Sequence, residues 1–320
     1  MTVHVRRAEA EDRPTLMRLF TSVFGSPPAS GEWEWKYDRN PSRAASVGAF
    51  EGDEAIGFFG GLATRFVGGG ADLPGTSGVD VMTAPAARRL GRSGVYREMG
   101  QRFVEENRVL GIPFYFGFPN DRHRLAGERL LGFRTVERAG QWIRPIARPT
   151  LARRLRSRLR PVRVVDAFGP GHDVLAERLC ARPGVRTDRS RTALAWRFGN
   201  RPGVRYLLLE ASGGRESAGY AVLRFVGERA LIVDLQAADE AGGAVVDLLT
   251  AASTEAAGMG ARTLELRASQ RGTLAGRASE LGFQELASDT CLELIPIDPA
   301  YPFDEALRSF DYRFGDHDVF

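Results

Sequence analysis

Val79-Asp80-Val81-Met82-Thr83-Ala84-Pro85-Ala86-Ala87-Arg88-Arg89-Leu90-Gly91-Arg92-Ser93-Gly94 is the stretch whose reading decides the fold. Its first five residues form a short apolar strand. Pro85 stops that strand, and a basic, glycine-bearing loop then opens a helix expected over residues 95–109. The head of a helix exposes unpaired N–H groups and carries the positive end of the helix dipole. Gly91, Ser93 and Gly94 let an anion come close to those amides, and Arg88, Arg89 and Arg92 add mobile positive charge. The stretch is built as an anion cradle suited to a pyrophosphate; the plainer alternative is a strand-to-helix loop with solvated arginines.

Working outward, Val3–Arg7 alternates like an edge strand, and Asp12 and Pro14 announce a helix. Leu16, Leu19, Phe20, Val23 and Phe24 follow at the spacing of one buried helical face, until Gly25-Ser26-Pro27-Pro28 stops it. Strands are expected at residues 46–50 and 55–65, joined at Gly52-Asp53. Beyond the cradle, residues 112–117 read as a buried strand, and a helix at 122–131 runs into Gly132-Phe133.

Arg88-x-x-Gly91-x-Ser93, placed after a strand and Pro85, resembles the acyl-CoA-binding signature of the GNAT acyltransferase superfamily, with Ser93 a small departure at the last position. The order of elements over residues 1–147 is also that of a GNAT domain. The resemblance implies a mixed α/β sheet that holds acyl-CoA in a wedge between two splaying strands, here those ending near Thr83 and Gly117. It implies transfer of an acyl group, usually acetyl from acetyl-CoA, to an acceptor amine. On that pattern the pyrophosphate falls to Arg88, Arg89, Leu90, Gly91, Arg92, Ser93 and Gly94, and the pantetheine arm to the backbone edge of Val81, Met82 and Thr83. Asn120 either holds the arm or caps a helix. Asp80 is the first choice of base, unless it points away to cap a loop. Many GNAT enzymes carry an acidic tyrosine four residues before the final Gly-Phe; Glu128 stands there, so Tyr115, Asn120 and His123 become the substitutes. In some relatives the terminal carboxylate is the base, which makes Phe320 a candidate. Trp33, Trp35 and Tyr37 line the acceptor pocket or pack the core.

The second half repeats the first in weakened form. Trp196-Arg197-Phe198 with Pro202 matches Trp35-Lys36-Tyr37 with Pro41, Val233-Asp234-Leu235 matches Val79-Asp80-Val81, and Leu281-Gly282-Phe283 matches Leu131-Gly132-Phe133. After Leu235, however, the chain offers Asp239 and Glu240 and no arginine, which repels a pyrophosphate. The expected organisation is a catalytic domain at 1–147, a basic linker at 148–163, a degenerate GNAT-like domain at 164–298 and an aromatic tail at 299–320, packed in a groove, with the interdomain space one option.

Composition sets the outer bounds. The chain has 320 residues, 43% hydrophobic and 26% charged, which suits two globular domains. Its formal charge of +4 is carried almost wholly by arginine, Lys36 being the one lysine. The arginines of the linker lack interleaved aromatics, so no nucleic acid is expected. Cys180 and Cys291 are too few for a disulfide framework or a zinc site, and no metal is expected. No apolar run reaches membrane-spanning length, and the expected location is the cytoplasm. The acceptor is expected to be a small amine such as an amino sugar or amino acid. An aminoacyl-tRNA-dependent transferase and a non-catalytic CoA-binding scaffold are the rival readings.

Overall fold

The computed structural model of the chain describes residues 2–68, 71–89, 93–146, 162–213, 216–240, 242–288, 290–301 and 309–317, with the backbone alone at residues 71, 88, 89, 93 and 122. Leu90, Gly91, Arg92, Phe320 and nearly all of the expected linker lie outside the described residues. In chain order the first half runs β1 (Val3–Arg7), α1 (Arg13–Phe24), β2 (Val47–Glu51), β3 (Glu54–Gly68), β4 (Ala71–Thr83), α2 (Pro85–Arg89), α3 (Ser93–Val109), β5 (Phe114–Gly117), α4 (Asp121–Leu131), β6 (Arg134–Arg138) and β7 (Gly140–Pro145). The second runs β8 (Val162–Val165), α5 (Gly171–Cys180), β9 (Val185–Thr187), α6 (Arg191–Leu194), β10 (Tyr206–Gly213), β11 (Glu216–Val226), β12 (Arg229–Ala237), α7 (Gly243–Gly258), β13 (Thr263–Ala268), α8 (Thr273–Glu280), β14 (Gln284–Leu286), β15 (Cys291–Pro296) and β16 (Phe310–Asp311).

These elements form two compact units. The first comprises Met1–Phe66, Asp72–Glu137 and Thr290–Leu307, and its sheet runs β1-β2-β3-β4-β5-β15-β6. Successive residues of a strand point to opposite faces, and Phe58 and Phe59 serve two different cores. On one face Leu16 and Leu19 of α1 meet Phe50, Phe58 and Met82. On the other, Val95, Met99 and Phe103 of α3 meet Phe59, Tyr115 and Ile295. The apolar spacing and Pro14 make α1 a helix. It ends at Gly25, whose φ of 82° lets its N–H reach the Thr21 carbonyl at 2.9 Å.

The second unit comprises Val67–Ala71, Arg138–Asp289 and Arg308–Phe320, with sheet order β14-β7-β13-β12-β11-β10-β8. Its α7 buries Val245, Leu248, Leu249 and Ala252 against Leu223, Ile232 and Leu264. Each unit carries one π-helical turn at the tryptophan landmark, Glu34–Asp38 in the first and Ala195–Gly199 in the second. Such turns are rare. The residues that close them, Arg39 (φ −102°, ψ 6°) and Asn200 (φ −110°, ψ 4°), adopt nearly the same conformation, which supports the duplication.

The division differs from the contiguous halves expected from the sequence in one respect: two strands are exchanged. β7, from the first half, pairs antiparallel with β13 and β14 in the second sheet. β15, from the second half, fills the place beside β5 in the first. A single residue, Ala139, separates β6 from β7. The tightest common hairpin needs two residues, so β7 cannot fold back beside β6 and runs on. Of the expected tail, residues 309–317 are described and fall in the second unit. Among the described residues no helix is long and apolar enough to cross a membrane.

Candidate active site

In the first unit β4 and β5 pair in parallel at Thr76↔Tyr115 and Ser77↔Phe116. β4 continues to Thr83, so residues 78–83 extend past the last paired rung and present a backbone edge toward β5. Val81, Met82 and Thr83, the residues expected to border the wedge, lie in this stretch. The next elements are the short α2 and then α3, whose second residue, Gly94, is exposed with open space where a side chain would stand. An exposed helix start of this kind suits an anion such as a diphosphate. Of the expected cradle, the backbones of Arg88, Arg89 and Ser93 are helical.

Asp80 departs from its neighbours. Its φ of 50° interrupts the strand in the left-handed region, which Asp tolerates better than most residues. Its carboxylate accepts hydrogen bonds from Lys36 Nζ at 2.8 and 3.0 Å and from the Tyr37 hydroxyl at 2.8 Å. Glu32 lies 3.8 Å from the same ammonium. The Lys36 and Asp80 side chains are only 6% and 9% exposed, so this is a buried ion pair. Trp33 lies tilted against Tyr37 at 4.5 Å and Phe58 at 5.4 Å between ring centroids, while Trp35 is fully buried and belongs to the core.

Tyr115 lies on β5 with its ring among Phe59, Phe103 and Phe133. Its hydroxyl sits over two glycines. A Cβ added at Gly78 or Gly117 would stand 2.5 or 2.8 Å from that oxygen. Asn120 caps α4, its side chain accepting from the His123 N–H at 3.0 Å, which is the second of its two expected roles. The His123 ring is exposed, 6.0 Å from the Tyr96 ring of α3. Glu128 accepts from Thr135 at 2.7 Å and from Arg124 at 2.9 and 3.0 Å; these contacts hold its carboxyl below the usual range, Thr135 first and Arg124 second.

One residue that sequence reasoning missed belongs to this site. Glu293, on the exchanged strand β15, pairs directly with Gly117 and is fully buried. Burial first, and then the nearby Glu128 carboxylate, push it up to about 8, against the pull of Arg124 and Thr135. The available signal was a lone carboxylate inside the run Cys291-Leu292-Glu293-Leu294-Ile295.

The same wedge in the second unit is filled. β12 and β13 pair from Arg229↔Thr263 to Ile232↔Leu266 and then part. The chain's own tail enters there. Arg313 bridges to Ala268 and donates from Nε to the Leu235 carbonyl at 3.2 Å. Phe314 packs under the Arg267 guanidinium at 4.6 Å. Asp234, the counterpart of Asp80, is held by Arg189 Nε at 2.8 Å and the Tyr220 hydroxyl at 2.9 Å, and Arg189 also grips Asp316 at 2.9 Å.

Residues 4–127 match the family model described as acetyltransferase (GNAT) domain. No curated protein matches the sequence. Solved structures with the same fold include a conserved protein from Enterococcus faecalis V583 described as a probable N-acyltransferase (TM-score 0.65, 13% identity, covering 93% of this chain and 73% of that one). A GCN5-related N-acetyltransferase from Kribbella flavida gives 0.64 at 16% identity over 93% and 72% of the two chains. Eis1 from Mycobacterium abscessus gives 0.58 at 15% identity over 93% and 74%.

Proposed function

We propose that this chain, whose residues 4–127 match the GNAT acetyltransferase domain model, transfers an acyl group, acetyl in the first instance, from acyl-CoA to the amine of a small molecule. One site, in the first unit, does the work. The observation that carries this reading is the contrast between the two strand pairs: β4 runs on to Thr83 beyond its last rung with β5 and leads to the exposed Gly94, whereas beyond Ile232↔Leu266 the second unit's β12 and β13 are met by the tail through Arg313.

Acetyl-CoA supplies a thioester-activated acyl group. The chain's part is to bind and orient it. The amides at the head of α3, with Arg88 and Arg92, hold the diphosphate, and the backbone of Val81, Met82 and Thr83 pairs with the extended arm as an added strand. An amide of that edge polarises the acyl carbonyl. The Lys36–Asp80–Tyr37 network holds Asp80 at its left-handed backbone position in β4 and so sets the line of the edge. Trp33 and Tyr37 are the aromatic wall available to the acceptor. The phosphate grip is tested by calorimetric titration with acetyl-CoA and with CoA. The Arg88→Ala, Arg92→Ala double variant is expected to bind more than about tenfold more weakly, a loss above 1.4 kcal/mol. Unchanged binding overturns the site. A thiol-release assay across an amine panel then tests transfer; binding without release with any amine leaves a CoA-binding module instead.

A further inference from the structure

We propose that Glu293 is the proton donor of this site, giving its proton toward the wedge along the row of glycines past the Tyr115 hydroxyl. The assignment rests on the acyl-transfer reading above and names a residue that reaches the first unit only through the exchanged strand.

The geometry begins with register. Directly paired residues on antiparallel strands share a face, so Glu293↔Gly117 and Ile295↔Tyr115 put the Glu293 and Tyr115 side chains on one face of the sheet. On the other side of β5, Gly78 and Gly117 each follow the last paired rung, Ser77↔Phe116, and a Cβ built on either would meet the same Tyr115 hydroxyl. The row across the sheet is therefore Glu293, Gly117, Gly78, with two glycines between the carboxyl and the open edge of β4. No side chain of that row stands in the way. What occupies the lane is the Tyr115 hydroxyl, close over both glycines.

The carboxyl itself is unspent. Glu293 has no exposure, and no completed hydrogen bond reaches either of its oxygens: Thr135 lies near, but its hydroxyl hydrogen goes to Glu128. The groups that face it are Tyr96 from α3, Arg124 and Glu128 from α4, Thr135 from β6 and Tyr115 from β5. Tyr96 is itself pushed up by burial and then by Glu293, so it stays a neutral phenol. Glu128, held by Arg124 and Thr135, is the anion beside which a second carboxylate is costly. An ordinary carboxyl has no proton to give at neutral pH; this one does. In the step, the Glu293 O–H bond breaks as an S–H bond forms on the departing thiol. The acceptor nitrogen gives up one proton to water, and water returns one to Glu293, so no further reactant is needed.

The test uses the full chain with Glu293→Gln and Glu293→Asp. Infrared difference spectroscopy between about pH 6 and about pH 10 should show a buried protonated carboxyl that titrates near 8, is perturbed when CoA is added, and is missing in E293Q. In E293Q, CoA affinity should stay within about twofold of the native value, while kcat falls about 10²- to 10⁴-fold and loses its basic limb. E293D should retain a basic limb at shifted pH. If E293Q does not fold, the position of that limb in E293D decides the matter; an unmoved limb overturns the proposal. An absent carboxyl band, or an E293Q enzyme with native kcat and limb, also overturns it. If the native protein releases no thiol with any amine, the acyl-transfer reading fails, and the CoA-sensitive band still decides whether Glu293 carries the proton.

Discussion

Replacing Lys36 with methionine isolates the buried network behind β4. Methionine matches the length of lysine and keeps the packing of its stem, so the change is mainly the loss of an ammonium from beside Asp80. At 2.8 Å the pair attracts with roughly 6 kcal/mol at an effective dielectric of about 20. Most of that is offset by the cost of burying both groups. The remaining effect is asymmetric, because K36M leaves a carboxylate 9% exposed with only Tyr37 to satisfy it. Breaking a buried pair from one side costs about 3–5 kcal/mol, a large share of the 5–15 kcal/mol that holds a typical domain. Adding Asp80→Asn removes the stranded charge, keeps the Tyr37 contact and suits the left-handed backbone. The double variant should therefore lose less than about 2 kcal/mol. Urea denaturation of the native protein, both single variants and the double variant measures all four corners. If K36M costs under about 1 kcal/mol, or the double loss equals the sum of the single losses, the network is not the buried pair described here.

Lys36 is also the only lysine, and it is buried; an amine-reactive ester should modify only the N-terminus of the native protein and both sites after denaturation, as intact mass will show. Gly117→Ala sets a methyl group against the Tyr115 hydroxyl and should cost about 1–3 kcal/mol, most of it recovered by adding Tyr115→Phe, read by melting temperature. His317 is pushed down to about 3 by burial first and then by Arg267, Arg197 and Arg201. The unfolded chain takes up this proton below about pH 6.5 and the folded one does not. The stability tied to His317 is thus complete above that pH and falls by about 1.4 kcal/mol per pH unit toward pH 3. Denaturation midpoints across that window should slope less in His317→Gln. Removing residues 309–320 opens the wedge of the second unit and strands Asp234 and Arg189, so the truncated protein should melt well below the native one; an unchanged transition would mean the tail is not a structural part of that unit.

Much of the first unit is written locally in the chain. The i, i+3, i+4, i+7 stripe makes α1, Pro85 and the glycines mark the passage from β4 to α3, and Gly132 ends α4 at a φ of 72°. The repeat landmarks were legible because each is a local motif, and the two π-helical turns at Trp35 and Trp196 show that the match extends to backbone conformation. What could not be read is which sheet a strand joins. β7 and β15 are short strands of similar character, and pairing is a long-range choice decided here by the length of the link at Ala139. Glu293 was hidden for the same reason: alternation in Leu292-Glu293-Leu294 assigns the carboxylate to solvent, and only the exchange buries it beside Gly117. Asp80 was legible as a notable carboxylate, but its partners Lys36 and Tyr37 lie 44 and 43 positions away.

The traded strands bind the fate of the two halves together. Each half, produced alone, would carry one strand with no home and lack one that its sheet requires, so cutting the gene at the linker should yield two insoluble fragments that recover only when refolded together. Heating should melt the protein in a single step. The second half is thereby tied to the first, because it supplies the strand β15 that lies beside β5 in the first sheet.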